Sequence, residues 1–339
     1  MTYPRNVMRP SQEWRILKVL QTPAPENVQL CPACPHPGKN LPEDWHDAPQ
    51  AKHWLYALFV AINANFRLKR RDVSKDKVDP SLGDGWAYFV KHKDYKTYVK
   101  EHTSAVQEKS TCASHNAVNM ADTKSNHGLA TTGVGTINCA RHNMKRGNGV
   151  GDLQKGERYV NMDYLFFSTL RGISLDVLNI SYDIACQWHK KLWVCMDSLP
   201  SVMHLNHPNM AITFFIPKFH LPAHIMECQT RFSWNLIPGV GRTDGEAPEC
   251  GWANINPVTL STKEMGPGAR WDTLDDHFGD WNWKKVVQVG SMMLHKVEEA
   301  LPECRACQED LRELELVIIL EKPSFLAEWK IQLEEWEQD

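Results

Sequence analysis

Two closely spaced cysteine–histidine pairs place the strongest constraint on how this chain can fold. Cys112 and His115 form one C-x2-H pair, Cys139 and His142 form a second, and twenty-three residues separate the two pairs. Thiolates and imidazoles at this spacing suit a tetrahedral Zn²⁺ ion, which accepts both donor types. We therefore predict one structural zinc site made of these four residues, against the alternative of four unrelated side chains.

The remaining cysteines and histidines give weaker metal signals. Cys31/Cys34 and Cys304/Cys307 are C-x2-C pairs, each of which is half a zinc site. The N-terminus has no apolar leader, so we expect an intracellular chain, in which reduced thiols favour metal ligation over disulfides. Cys31 and Cys34 could bind zinc, whereas Cys304 and Cys307 fall in a helical segment and are interpreted as incidental.

Two histidine pairs also have metal-like spacing. They are His204/His207 and His220/His224, and a proline follows the first pair and interrupts the second. Neither pair can therefore lie on the uninterrupted helix that a zincin motif requires. We interpret all four as ordinary polar residues near strand ends.

The pattern along the chain predicts an α/β fold in three regions. Residues 1–50 are a Pro-rich, irregular lead-in, and residues 51–285 form the core. Within the core, residues 93–151 lack steady periodicity and are too long for a plain connection, so we interpret them as an insertion stapled by zinc. Residues 286–339 are predicted to form an acidic helical segment. Positions 301–339 carry a net charge of −7, and since the whole chain has −3, the remainder has +4.

Short apolar runs predict the buried strands of the core. They cover residues 55–62, 177–183 and 211–216, and a basic second strand, FRLKRR, follows the first. The longest run is far below the roughly 18 residues that a membrane span needs, so we expect no membrane association.

Three carboxylates could form a cation site at a strand end. Asp183 ends the second apolar run, and Glu246 and Glu249 follow a glycine-bounded turn. Acids that converge in this way hold the Mg²⁺ or Mn²⁺ ions of nucleases, which activate an attacking hydroxyl and stabilise the leaving oxygen. Many α/β proteins have acids at strand ends, so the pattern alone is not specific.

Long sequence blocks resemble the Kyakuja–Dileera–Zisupton (KDZ) transposases, which are abundant in mushroom-forming fungi. The blocks run from about Cys31 to Trp336 and include TGVGTINCARH, YDIACQW, IPKFHLPAH and PGVGRTDGE. The resemblance implies an RNase H-like fold of the DDE class with a zinc-binding insertion. It also implies a nuclear transposable-element protein that cleaves DNA with Mg²⁺ or Mn²⁺ and then transfers the strand.

The resemblance assigns residues to this site and also points to a defect. Asp183 matches the second acid, and Glu246 or Glu249 the third, with Glu249 preferred. The family has an aspartate in its first strand where this chain has Asn63. Losing one charge from a two-cation site lowers the rate by orders of magnitude, so we expect impaired catalysis. Because the family's proteins are longer, we also expect a truncated copy.

A non-enzymatic zinc protein associated with DNA or chromatin is the alternative. Its phosphate contacts would come from a basic strand and a basic loop. The residues are Arg67, Lys69, Arg70 and Arg71 in the strand, and Arg141, Lys145 and Arg146 in the loop. A solvated charged face explains them equally well. In both cases we expect DNA as the partner and a chain that forms a homo-oligomer.

Overall fold

The computed structural model describes residues 13, 14, 17, 21, 30–102, 112 and 128–338. The chain divides into two compact units, Met1–Val286 and Val287–Asp339. The larger unit contains the sheets, and the smaller unit is helical. No helix in the described part of the chain combines the length and apolarity that crossing a bilayer requires.

A mixed five-stranded sheet forms the centre of the larger unit. Its strand order is β5-β4-β1-β6-β7, in which β4 is antiparallel to both neighbours and β1, β6 and β7 are mutually parallel. The strands are β1 (Leu58–Asn65), β4 (Gly133–Cys139), β5 (Lys145–Leu153), β6 (Val177–Tyr182) and β7 (Ala211–Phe215). A separate two-stranded sheet pairs β2 (Arg70–Arg71) with β3 (Leu129–Thr131).

Among the described residues, eight α-helices belong to the larger unit with these strands, and two more form the smaller unit. Those of the larger unit are α1 (His92–His102), α2 (Tyr159–Thr169), α3 (Ala185–Trp188), α4 (Leu192–Met196), α5 (Met226–Arg231), α6 (Ala247–Ile255), α7 (Thr259–Lys263) and α8 (Pro267–Val287). Those of the smaller unit are α9 (Val289–Glu321) and α10 (Phe325–Gln338), which contact each other.

The two faces of the sheet bury different sets of side chains because side chains alternate along a strand. Leu58, Val60 and Ile62 of β1 enter the largest apolar cluster, which α2 covers. Every residue of α2 from 161 to 169 is buried, which explains its apolar character on all sides. Phe59 and Ala61 point to the opposite face. Helix α6 packs against β1 and β4.

The stretch 93–151, expected to be an insertion, contains two strands of the sheet. Strands β4 and β5 are rich in glycine, so they lack the apolar alternation from which strands are predicted. Gly151 shows why glycine is needed there: a Cβ would lie 2.7 Å from Leu165 Cδ2 of α2. The glycine lets α2 approach the sheet closely. Because glycine has no side chain, it also removes the apolar alternation by which the strand could be predicted from the sequence.

Candidate metal centres

The first cluster of metal-ligating side chains, called centre 1, contains Cys31, Cys34, Cys139 and His142. Its four donor atoms lie within 4.8 Å of one another. Cys34 Sγ is 3.2 Å from Cys139 Sγ, and His142 Nδ1 is 3.2 Å from both Cys31 Sγ and Cys139 Sγ. Three thiols and one imidazole at these separations match the donor set of a structural zinc site.

Local turns bring the donors of centre 1 together. The Cys34 amide donates to the Cys31 carbonyl at 3.1 Å, which turns both thiols to one side. Cys139 ends β4, and His142 lies in the hairpin between β4 and β5. Hydrogen bonding to Cys139 raises the pKa of Cys31 to about 12. The hydrogen bonds that Cys139 receives from Cys31 and Cys34 lower the pKa of Cys139 well below its usual value. Zinc would displace the shared protons.

The second cluster, called centre 2, contains Cys112, Cys186, His224 and Cys228. All four residues are buried, and their donor atoms also lie within 4.8 Å of one another. His224 Nδ1 is 3.2 Å from Cys112 Sγ and 3.6 Å from Cys186 Sγ. Burial raises the pKa of Cys228 to about 12 and that of Cys186 above its usual value. Such thiols are held more easily as zinc ligands than as free thiolates.

The structure regroups the four residues expected to share one zinc. Cys139 and His142 lie in centre 1, whereas Cys112 lies in centre 2, and His115 is outside the described residues. His224, interpreted above as an ordinary polar residue, is a member of centre 2. It needs no continuous helix because its backbone enters α5 from a turn. The signal that could have found it is the H-x3-C spacing to Cys228.

The two terminal C-x2-C pairs have different environments. Cys31 and Cys34 are buried in centre 1. Cys304 and Cys307 are exposed on α9 and belong to no cluster of three or more donors in the described part of the chain. The first pair therefore has its completing ligands on β4 and its hairpin, whereas no described residue completes a site with the second pair.

A third cluster, called the acid site, brings together Asp183, His220, Glu246 and Glu249. His220 Nε2 is 3.2 Å from Glu249 Oε1 and 3.8 Å from Asp183 Oδ1. The donor atoms of His220, Glu246 and Glu249 lie within 4.8 Å of one another. Sequence reasoning expected the three acids to converge but did not include His220, because its position depends on the turn that follows β7.

The turn before α6 places Glu246 and the start of that helix against the sheet. Gly245 has φ of +81°, and a Cβ there would collide with Ser181 Oγ of β6, so only glycine allows this approach. Glu246 Oε1 accepts the backbone N–H of Phe219 at 2.9 Å. This bond joins the turn to the segment after β7 that carries His220.

Charge and burial perturb the groups of the acid site. Burial raises the pKa of Asp183 to about 6, with a further rise from Glu249 and Glu246 that His220 opposes. Burial lowers the pKa of His220, but Asp183 and Glu249 outweigh it and raise the pKa above its usual value. Burial also raises the pKa of Glu246. A site with this many acids around one imidazole favours a bound cation.

Asn63 lies beside Asp183 across two parallel strands. Ile62 pairs with Tyr182, so Asn63, near the carboxyl end of β1, lies level with Asp183, which directly follows β6. Trp252 Nε1 donates to Asn63 Oδ1 at 3.1 Å. Since Trp252 lies on α6, the helix that carries Glu249 also contacts Asn63. The structure thus gathers positions 63, 183, 246 and 249 at one edge of the sheet.

The basic strand is only partly available to a phosphate backbone. Arg67, Lys69 and Arg71 are exposed, as expected for phosphate ligands. Arg70 is buried, and its guanidinium donates to the backbone carbonyls of Arg71 and Ser74. The expectation that Arg70 contacts nucleic acid is therefore wrong, because its side chain ties down its own loop.

The basic loop is also engaged inside the protein. Lys145 is buried, its Nζ lies 4.1 Å from the centroid of the Trp252 ring, and burial lowers its pKa to about 7. The Arg141 guanidinium lies 3.5 Å from the centroid of the Phe59 ring. Lys145 supports α6 through a cation–π contact and cannot reach a phosphate.

Comparison with known proteins identifies the family. The model of the Kyakuja-Dileera-Zisupton transposase family matches residues 56–282, well over half of the 339 residues. No curated protein and no solved structure matches the chain. The matched range contains the five-stranded sheet, all of centre 2 and the acid site. The chain therefore belongs to the KDZ transposase family.

Proposed function

We propose that the chain is a transposase-derived protein with an RNase H-like core, whose acid site descends from a two-cation centre for DNA cleavage and strand transfer. The observation that carries the proposal is the meeting of Asn63, Asp183, Glu246 and Glu249 at one sheet edge. A mixed sheet that brings Asn63 of β1 and Asp183 after β6 to the same end of two adjacent parallel strands supports the fold that the family resemblance implies.

The side chains of the acid site fit a divalent cation. Asp183 Oδ1 is buried and has no hydrogen-bond partner in the described part of the chain, so a cation would satisfy an otherwise costly oxygen. When bound, Mg²⁺ or Mn²⁺ supplies an activated water and stabilises the leaving oxygen. Asp183 and Glu249 would hold the cation. We prefer Glu249 to Glu246 because Glu249 lies within α6, whereas Glu246 precedes the helix and its carboxylate holds the backbone N–H of Phe219.

Asn63 accounts for the proposed loss of catalysis. Its amide oxygen is neutral and already accepts a hydrogen bond from Trp252, so it binds a second cation poorly. The carboxylate expected at this position would supply a full negative charge between two cations. The chain therefore keeps the positions of the site and lacks one of its charges.

Strand nicking of supercoiled DNA by the purified chain tests this proposal. We expect no Mg²⁺- or Mn²⁺-dependent nicking by the natural chain and measurable nicking by Asn63→Asp. The double variant Asn63→Asp/Asp183→Asn is the matched control and should be inactive again. A folded, zinc-loaded Asn63→Asp protein that never nicks DNA would contradict the descent of this site from a DNA-cleaving centre. Nicking by the natural chain would contradict the proposed loss of catalysis.

The second candidate is a non-enzymatic, zinc-containing protein that binds DNA or chromatin. The exposed side chains of Arg67 and Lys69, just beyond the carboxyl end of β1, favour it. DNA binding that weakens steeply with salt, without nicking by any variant, is the result that this function predicts. Under both functions we propose a nuclear protein with DNA as its partner, working as a homo-oligomer.

A further inference from the structure

We propose that zinc in centre 2 holds Asp183 and His220 in place, so that centre 2, and not centre 1, controls the geometry of the acid site. The inference rests on the proposed function for its consequence, which is cation binding. Its structural part, the positioning of two residues by a zinc ion, can be measured separately.

Two short backbone links join centre 2 to the acid site. Cys186 follows Asp183 by three residues, and His224 follows His220 by four. The link from His220 to His224 is a hydrogen-bonded turn, in which the amide of Ala223 donates to the His220 carbonyl at 3.0 Å. The link from Asp183 to Cys186 turns directly into α3, which begins two residues after Asp183. Turns this short transmit the position of a ligand to the residue at their start, because few dihedral angles separate the two.

Centre 2 also gathers elements that none of the described strand pairs joins. Cys112 comes from the segment between α1 and β3, Cys186 from α3, and Cys228 from α5. The segment that carries His220 leaves the sheet after β7, and in the described residues His224 and Cys228 anchor its far end in the core. A zinc ion bound by all four residues would fix the spacing between this segment and the end of β6.

Centre 1 differs from centre 2 because it has no short backbone link to the acid site. None of its ligands lies within four residues of an acid-site side chain in the sequence. Cys139 pairs with Val60, three residues and roughly 10 Å along β1 from Asn63. Loss of zinc from centre 1 should therefore release the N-terminal segment from the β4–β5 hairpin, which strand pairing still holds, while leaving Asp183 and His220 in position. This makes centre 1 an internal control.

The experiment compares Cys228→Ser with Cys34→Ser in the full chain. Zinc is counted by mass spectrometry of the metal, and the fold is checked by circular dichroism. Local order is followed by hydrogen–deuterium exchange of the peptides around 183–188 and 218–225. We expect two zinc ions in the natural chain and one in each variant. Exchange in these two peptides should rise at least tenfold in Cys228→Ser and stay within twofold in Cys34→Ser.

Cys228→His provides the second variant in case Cys228→Ser does not fold. Imidazole replaces thiolate as the fourth ligand, so two zinc ions and natural protection should return. Two zinc ions in a folded Cys228→Ser protein, unchanged exchange after loss of one zinc, or equal effects of both serine variants would overturn the inference. So would a Cys228→His protein that holds two zinc ions without restored protection.

Mn²⁺ titration of the same proteins, in the Asn63→Asp background, measures the consequence. We expect Cys228→Ser to weaken Mn²⁺ binding at least tenfold and Cys34→Ser to change it less than twofold. If no protein binds Mn²⁺ while the exchange result holds, the proposed function fails and the positioning by zinc stands. If Mn²⁺ binds equally to both serine variants, the coupling is overturned and the cation site stands.

Discussion

The two cysteine–histidine centres and the acid site are built on opposite plans. Both centres have three thiols and one imidazole, with every cysteine buried, so a zinc ion there would be closed off by protein. The acid site uses mainly hard carboxylate oxygens, and its side chains are partly exposed: Asp183 by 26%, His220 by 21% and Glu249 by 47%. Closed tetrahedral sites stabilise folds, whereas sites with open positions exchange ligands.

This difference indicates where the chain can tolerate change. Removing a donor from a closed centre damages the folded state itself, because the buried polar groups that remain lose their common partner. Replacing one donor of the open site, as we propose for Asn63, should leave the fold in place and affect only ion binding and chemistry. On this proposal the larger unit keeps its architecture when the acid site loses a donor.

The largest effect should come from removing zinc from the closed centres. A strong chelator should lower the free energy of unfolding by several kcal/mol, because metal-binding free energy is part of folding free energy at such sites. Thermal melts followed by circular dichroism, with zinc added back as the control, measure it. An unchanged melting temperature after both zinc ions are removed would break the comparison, since the centres would then not be structural.

A smaller and purely local effect is expected from Asp183→Asn. Mn²⁺ binding at the acid site should weaken by about a hundredfold, because a directly bound carboxylate becomes a neutral amide. The zinc content should stay at two ions per chain. Stability without Mn²⁺ should not fall at pH 7, because burial holds the pKa of Asp183 near 6 and its charged form is a cost to the fold. Calorimetric titration with Mn²⁺ and metal analysis are the measurements, and a loss of zinc would contradict the separation of the sites.

The smallest effect is the pH dependence of the open site. The pKa of Asp183 is raised to about 6, so the carboxylate that binds a cation is present above pH 6 and becomes protonated below it. Mn²⁺ affinity should therefore fall by about tenfold between pH 7 and pH 5. The Asp183→Asn protein should lose most of this step, and an identical slope in both proteins would assign the pH dependence to another group.

Much of the sheet was predictable, for a physical reason that also explains what was missed. The runs 55–62, 177–183 and 211–216 overlap β1, β6 and β7. Parallel strands buried on both faces are mainly apolar, which fits the central strands β1 and β6, whereas the edge strand β7 is only partly buried. The first strand begins later than predicted because residues 50–56 form a 3-10 helix. Strands β4 and β5 were missed because close packing under α2 requires glycine where a strand signal needs a side chain.

The residue types of the candidate sites were predictable from the sequence, but the full set of residues that share each site was not. The convergence of Asp183 with Glu246 and Glu249 followed from a strand end and a glycine turn, and the structure places them together. The participation of His220 did not follow, because it depends on a hydrogen bond between Phe219 and Glu246 that spans 27 residues. Arg70 was wrongly expected to be a surface residue, because burial of a single position in a two-residue strand has no periodic signature.

By itself, the sequence determined the donor types, the apolar strands and the family, because each depends only on residues that are close together along the chain. The tertiary structure alone decided which cysteine meets which histidine. Cys139 meets Cys34 across 105 positions, and Cys112 meets His224 across 112. Such contacts form only after the sheet has closed the intervening loops, and their free energy depends on the packed fold rather than on spacing along the chain.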